Sequence, residues 1–382
     1  MNKLSDTALE IREVTGRKAL NAFIRVPWTI YKDDSNWVPP LLVERKGALS
    51  AKHPYFKHAK WCAWVAYRNG EPVGRISAQK DDLHLKQHDT KTGFFGLVEA
   101  IDDPEVFSAL FQAAETWLQI KGLREVIGPF NLSINQDLGV LIEGFYSPPY
   151  VMTGHAPAYY GEAIEACGYR PVQDLLAYGL DGGTLAIPRV MRALIDRSGD
   201  RIKVRSLGSK PKKVELESMR DIFNDAWKNN WNFTPFTPEE FNLIGKELLL
   251  AAPKNFIQIA EVDGQDSAFI VLLPNINEAI ADLDGRLLPV GWAKLFWRLK
   301  VGFPKSARVA LMGVRQKYQN TRFGPALAYM IINEVMEAGK AKGLERVEMS
   351  WILDHNHGVR NIIESVGGQI TKRYRMYEKE LS

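Results

Sequence analysis

The run Ser306-Ala-Arg-Val-Ala-Leu-Met-Gly-Val314, followed by Arg315-Gln-Lys-Tyr-Gln-Asn-Thr-Arg-Phe-Gly324, decides how this chain is read. A β-branched, apolar run gives way to a polar, basic loop, and a helical pattern begins at Pro325. Strand, basic loop and helix N-terminus in that order suit a phosphate. Free backbone N–H groups and the positive end of the helix dipole point at one spot. Arg315, Lys317 and Arg322 add full charges beside them. The loop has neither the GxxxxGKS/T spacing of a P-loop nor a GxGxxG in strand–helix context.

Downstream, Leu327, Met330, Ile331, Val335 and Ala338 recur at helical spacing between Ala326 and Lys342. Gly343 ends that helix, and Glu345–Ile352 reads as the next strand. Asp354-His355-Asn356 then opens a short helix that stops at Gly367-Gly368, before a last strand through Tyr374–Tyr377.

Upstream the same order occurs once before. Lys60–Tyr67 and Val73–Ala78 flank Asn69-Gly70 as a hairpin. Thr92–Val98 is a strand, Pro104–Lys121 a helix, Arg124–Ile127 a strand; Tyr159-Tyr160 starts a helix ending at Gly168, and Leu175–Tyr178 closes the set. After the basic linker Ser206–Lys213 come a helix over Glu215–Trp227 and a second hairpin around Asp263-Gly264. The repeat is of architecture, not of residues, and predicts two α/β domains, 1–205 and 206–382.

The loop Gln319-Asn320-Thr321-Arg322-Phe323-Gly324 resembles the acyl-CoA pyrophosphate loop of the GNAT N-acyltransferase superfamily, Gln/Arg-x-x-Gly-x-Gly/Ala. Gln319 and Gly324 match; Arg322 stands where glycine is usual and brings a guanidinium that suits a phosphate. With the strand and helix order, and with Trp351-Ile-Leu-Asp-x-Asn356 and Tyr374-Arg-Met-Tyr-Glu378, the whole chain resembles a tandem-domain bacterial branch, the bacterial ceramide synthases. The resemblance implies two GNAT-like domains, each a twisted, mixed, mostly antiparallel sheet flanked by helices. It implies transfer of an acyl group from acyl-CoA to a primary amine, best a long chain onto a sphingoid base. Gly313, Val314 and Arg315 would present backbone amides to the pantetheine and thioester, and the rest of the loop through Ala326 would hold the phosphates. Small-molecule or peptide acetylation and a non-catalytic acyl-CoA-binding regulator use the same core.

Side-chain chemistry is less sharply marked. Expected catalytic groups are Glu278, Asp354, His355 and Asn356 at strand ends, with Tyr377 as a proton donor. Asn356 equally suits a helix N-cap. In the first half, Asn131, Ser133, Asn135 and Asp137 alternate between Gly128 and Gly139, followed by Tyr159 and Tyr160. Short hydrogen-bonding side chains beside Gly, Pro and aromatics suit a hydroxylated amine, so this half is expected to bind substrate.

Bulk properties narrow the rest. A net charge of +4 over 382 residues does not argue for nucleic acid. Two cysteines build neither a disulfide framework nor a cysteine-rich zinc site, and no metal is expected. Met1–Asp6 lacks an apolar signal core, so a cytoplasmic protein is expected. Within Leu287–Lys300, Trp292, Leu295, Phe296 and Leu299 share a helical face opposite Lys294 and Arg298. That pattern predicts either a peripheral contact with the inner membrane or a helix covering the sheet.

Overall fold

The computed structural model describes residues 8–181, 189–198 and 201–381, so the Met1–Asp6 segment lies outside the described residues. The first half holds β1 (Glu10–Glu13), β2 (Ala59–Arg68), β3 (Glu71–Asp81), β4 (Thr92–Ala100), β5 (Glu125–Gly128), β6 (Val140–Glu143) and β7 (Arg170–Asp181). The second holds β8 (Ile202–Ser206), β9 (Ile257–Val262), β10 (Gln265–Pro274), β11 (Ser306–Val314), β12 (Arg346–Leu353) and β13 (Gln369–Glu380). Helices of the first half are α1 (Gly16–Ile30), α2 (Leu42–Ala48), α3 (Asp82–His88), α4 (Pro104–Ile120), α5 (Tyr160–Ala166) and α6 (Arg189–Ser198). Those of the second are α7 (Lys212–Trp227), α8 (Pro238–Ala251), α9 (Ile276–Ile280), α10 (Gly291–Lys300), α11 (Gln316–Gln319), α12 (Phe323–Ala341) and α13 (His357–Ser365).

Local chemistry sets many of these boundaries. Asn69-Gly70 and Asp263-Gly264 each turn a hairpin in two residues, with φ of 55° and 81° in the first and 52° and 80° in the second. Two left-handed residues in succession are what a tight hairpin matching the strand twist demands. Asp103 accepts from Glu105 N at 2.9 Å and starts α4, with Pro104 next. Thr237 and Glu240 form a reciprocal capping box that starts α8.

Beyond the turns, register takes over. Among the described residues one sheet runs β1-β2-β3-β4-β5-β13-β7-β12-β11-β10-β9-β8, with β6 paired to β13. The order is symmetric about its middle. Each half lays down five strands toward the centre, and then the last strand of each half crosses to the other. β13 inserts between β5 and β7, while β7 inserts between β13 and β12. The cores record the exchange. Leu176, Tyr178 and Leu180 of β7 are buried with the second half's apolar residues, and Tyr374, Met376 and Tyr377 of β13 with the first half's. β8 pairs with β9, so the expected division after residue 205 cuts through a strand of the second half.

In both halves a parallel pair forks. β4 and β5 pair from Thr92/Glu125 to Phe94/Ile127 and then separate; β11 and β12 pair from Ser306/Arg346 to Val309/Met349 and then separate. The first fork is filled by its own chain. The segment after Gly128 turns back so that Phe130 N donates to Phe95 O at 2.8 Å and Leu97 N donates to Asn131 Oδ1 at 2.8 Å. A Cβ on Gly96 would lie 1.8 Å from Phe130 O. Gly96→Ala must therefore push this segment out of the fork. It is expected to cost about 1–3 kcal/mol, read as a lowered urea midpoint; an unchanged midpoint would contradict the filled fork.

Candidate functional site

A cavity of about 1110 Å³ lies between the halves. Its walls come from α1 and α2, from Leu97–Glu99 of β4, from the segments around Asp137 and His155, and from α8, α9 and α10. Most of the lining is apolar, including Val98, Val140, Leu243, Ile244, Leu295 and Leu299. A large apolar hollow with a few convergent polar groups is the usual form of a small-molecule site.

The polar groups are unusually constrained. Glu99 reaches the cavity from β4 and accepts through Oε2 from the hydroxyls of Tyr31 and Tyr160, both at 2.8 Å. Arg75 Nη2 lies 3.6 Å from its Oε1. Burial raises the Glu99 pKa above the usual carboxylate range although Arg75 and both hydroxyls pull it down. Burial likewise lowers that of Arg75, with Glu99 opposing. Asp137 is another carboxylate of the wall, beside Glu44, Glu239 and Glu247. Burial raises its pKa too, and the nearer cation, Arg45, is 3.9 Å away. His155 Nε2 meets Asp34 Oδ2 at 2.7 Å, while burial holds the imidazole toward its neutral form.

Of the expected substrate residues, Asn131, Asp137 and Tyr160 line this cavity. Ser133 turns into its own loop, accepting from Asn135 N at 3.2 Å, and Asn135 donates to Thr234 O of the second half at 3.0 Å. Tyr159 donates to Ala100 O at 2.8 Å.

The expected catalytic five are not brought together. Glu278 accepts from Lys305 N at 2.7 Å and from the Ser306 hydroxyl, pinning α9 to the start of β11. Both of its oxygens are thereby engaged in structure. Asp354 is half-buried and His355 exposed at the end of β12, where Gln173 Nε2 donates to Asp354 Oδ1 at 2.6 Å. Asn356 is the N-cap of α13, accepting from Val359 N at 3.2 Å. Tyr377 is buried in the first half's core, its pKa pushed up to about 12 by burial and by Glu165.

The expected cofactor loop follows the end of β11, whereas Leu273, Ile276 and Asn277 of the cavity wall lie beside its start. Past the fork the carbonyls of Met312 and Val314 accept from Trp227 Nε1 at 2.9 Å and Gln319 Nε2 at 2.8 Å. Gly313 is buried against Ala226, Ile222 and Phe269. Arg315 turns its guanidinium back to Asp266 O at 3.0 Å, while Lys317, Asn320, Thr321 and Arg322 stay at the surface. Arg322 stacks over Phe323, and Ala326 is buried in α12. Gly324 has no room for a side chain: a Cβ would lie 2.6 Å from Tyr318 O.

The cavity wall meets the second fork at Arg308. Arg308, fully buried on β11, donates to Ser350 Oγ at 2.8 Å and Ser350 O at 3.0 Å across the fork. Its Nη1 donates to Val151 O and Met152 O, both at 3.2 Å and both part of the cavity wall. Glu348 lies 4.0 Å from the same guanidinium. Sequence reasoning missed this arginine, Glu99 and Arg75. The available signal was a charge inside each of three otherwise apolar strand runs.

The pattern at 287–300 divides otherwise than expected. Leu295 and Leu299 line the cavity, but Trp292 and Phe296 are exposed, and Lys294 and Arg298 both pair with Asp282. Among the described residues no helix is long and apolar enough to cross a membrane.

No protein-family model matches the chain. Protein YghO of Escherichia coli (strain K12) is 46% identical over 371 residues, 97% of this chain and 95% of that protein. The bacterial ceramide synthase of Caulobacter vibrioides (strain NA1000 / CB15N) is 43% identical over 367 residues, 95% of each chain. A solved tandem GNAT protein from the clavulanic acid biosynthesis pathway covers 98% of this chain and 99% of its own at a TM-score of 0.59 and 12% identity, a likeness of fold.

One wall of the cavity, α8, is tied to the first half by His58. Its Nδ1 is 3.0 Å from Asp81 Oδ1 and its Nε2 3.4 Å from Glu240 Oε1 on α8. Burial opposes the imidazolium, but the two carboxylates outweigh it and raise the pKa to about 9. The unfolded value is lower, so this contribution is fully present below about pH 6.5 and lost as pH rises through 9. The melting midpoint of the protein should fall more steeply between pH 7 and about 10 than that of His58→Gln. Parallel curves for the two proteins would refute the pairing.

Proposed function

This chain belongs to the family that holds Protein YghO and the Caulobacter bacterial ceramide synthase, built on the tandem GNAT fold, and from that premise we propose an N-acyltransferase that moves a long acyl chain from a thioester to a sphingoid-type amine. The observation that carries this reading is the cavity between the halves. Its volume of about 1110 Å³ lies just above the roughly 300–1,000 Å³ usual for small-molecule sites. It is walled largely by aliphatic side chains and carries three carboxylates of raised pKa, Glu99, Asp137 and Glu247, with more room than a small acetyl acceptor needs.

In this reading the donor's phosphates rest on the loop from Gly313 to Ala326, with Lys317 and Arg322 facing them. The thioester arm runs along β11 toward the fork, where it would take over the edge now met by Trp227 and Gln319. The amine enters from the cavity. An alkylammonium must shed a proton before its nitrogen can attack, and a buried carboxylate both holds the cation and accepts that proton. Glu99 has this role, with Asp137 beside the polar headgroup. As the nitrogen–carbon bond forms, the carbon–sulfur bond breaks and the thiolate leaves with the electron pair. The first proton of the ammonium is held by Glu99; the nitrogen sheds a second on becoming the amide, and that proton neutralises the thiolate. Arg308 is a positioning residue, since it fixes Val151–Met152 against the fork.

The direct test is thiol release with product mass detection, using acetyl-CoA and long-chain acyl-CoA against sphingoid bases and simple amines. An N-acyl sphingoid product formed with the long-chain donor is expected. Acetylation of a small amine alone would discard the lipid. Acyl-CoA binding with no release from any pair would replace the enzyme by a regulator. For the loop, Arg322→Glu is expected to weaken acyl-CoA binding about tenfold, because it sets a carboxylate beside phosphates at an exposed position. Equal affinity would remove the phosphates from this loop. Gly324→Asp is the poorer test, since any Cβ there disrupts the turn itself.

A further inference from the structure

The segment 286–305 carries Arg286, Lys294, Arg298, Lys300 and Lys305 and no Asp or Glu. Within it Leu288, Val290, Trp292, Phe296, Trp297 and Val301 are all more than half exposed, the densest group of large exposed apolar side chains among the described residues. Isolated exposed apolar residues need no explanation, but a contiguous group rimmed by cations does. The same helix has a second apolar edge: Leu295 and Leu299 point into the cavity. Opposite them, Val43 of α2 and Leu250 of α8 both line the cavity and are exposed, at 62% and 82%, which marks the mouth. The same helix therefore presents apolar side chains both to solvent and to the cavity, which opens to solvent at Val43 and Leu250.

We propose that α10 and its flanking turns dock on an anionic lipid bilayer, and that the mouth beside them admits a long-chain amine directly from the membrane. The second clause rests on the acyl-transfer reading above; the docking does not. Tryptophan and phenylalanine among lysine and arginine, on a helix too short to span, is the composition of an interfacial helix. Arg286, Lys294, Arg298 and Lys305 face Asp284, Asp282 and Glu345, so with Lys300 the cations exceed their acidic partners and leave a net positive charge that suits anionic headgroups at short range. Charge also argues against a second copy of this chain as the occupant. A two-fold contact sets a patch against itself, which would oppose the excess of Lys294, Arg298 and Lys300 over Asp282 to its own counterpart. Lipid entry through such a mouth spares an aliphatic chain the passage through water.

The test floats the full-length protein with phosphatidylglycerol-containing vesicles and with pure phosphatidylcholine vesicles, beside a variant carrying Trp292→Ser, Phe296→Ser and Trp297→Ser. None of these three side chains lines the cavity. Expected are flotation with the anionic vesicles that weakens with salt, a loss of at least about tenfold in the variant, and unchanged turnover of amine dispersed in detergent. Flotation that ignores the substitutions, or its absence in the wild type, would overturn the proposal. So would a wild-type dimer that becomes monomeric in the variant without binding vesicles. Vesicle binding without turnover in detergent would instead sink the acyl-transfer reading and leave the docking face supported.

Discussion

β7 and β13 lie side by side at the middle of the sheet, each supplied by one half and each completing the sheet and core of the other. Neither half can close its hydrophobic core alone, because Tyr178 of one and Tyr377 of the other are buried across the boundary. The cavity consequently has fixed walls rather than a hinge. Two buried cations hang its lining on this framework. Lys372 of β13 donates from Nζ to Gly144 O and Ser147 O, both at 2.7 Å, and its pKa is pulled down to about 8 by burial. Arg308 of β11 holds the next few residues through Val151 O and Met152 O. The segment between them gains a defined path although it has little regular structure of its own.

The two halves share a plan but not an outcome. In the first, the fork between parallel strands is occupied by Phe130 and Asn131, and the carboxylate just beyond it, Glu99, faces the cavity. In the second, no segment among the described residues pairs into the fork, and a basic loop follows the strand. The same architecture thus has one fork sealed and the other with a strand edge that β12 leaves after Val309. The proposed division, donor on the second half and amine against the first, follows from that asymmetry.

Much of the fold was legible from residues. The hairpin turns at Asn69-Gly70 and Asp263-Gly264 were marked by the two residue types that tolerate positive φ, and the strand–loop–helix order around Val314 was marked by a change of period. The strand exchange was not legible, since sequence specifies which segments form strands far better than which distant strands pair. Nor was α8, whose Leu-rich run lacks a clean polar face. The site was read less well for a related reason. Glu278 and Asp354 lie at strand ends, which suggested chemistry, but position along a strand does not say whether a carboxylate is engaged by neighbouring donors. Glu99 and Arg308 each stand as a single charge in an otherwise apolar strand run, and only three-dimensional burial sets them apart from surface charges.

The central claim is that a buried carboxylate on β4 takes the amine's proton. It is tested most directly by the pH dependence of kcat/KM for thiol release in the wild type and in Glu99→Gln, with acyl-CoA affinity measured alongside. The account predicts a wild-type rate that rises with pH through the raised range of Glu99. In the variant that limb should vanish and the rate drop by about 10²-fold or more, at unchanged donor affinity. A variant that keeps both the rate and the limb would show that Glu99 only ties Tyr31, Tyr160 and Arg75 together, and that the proton goes elsewhere.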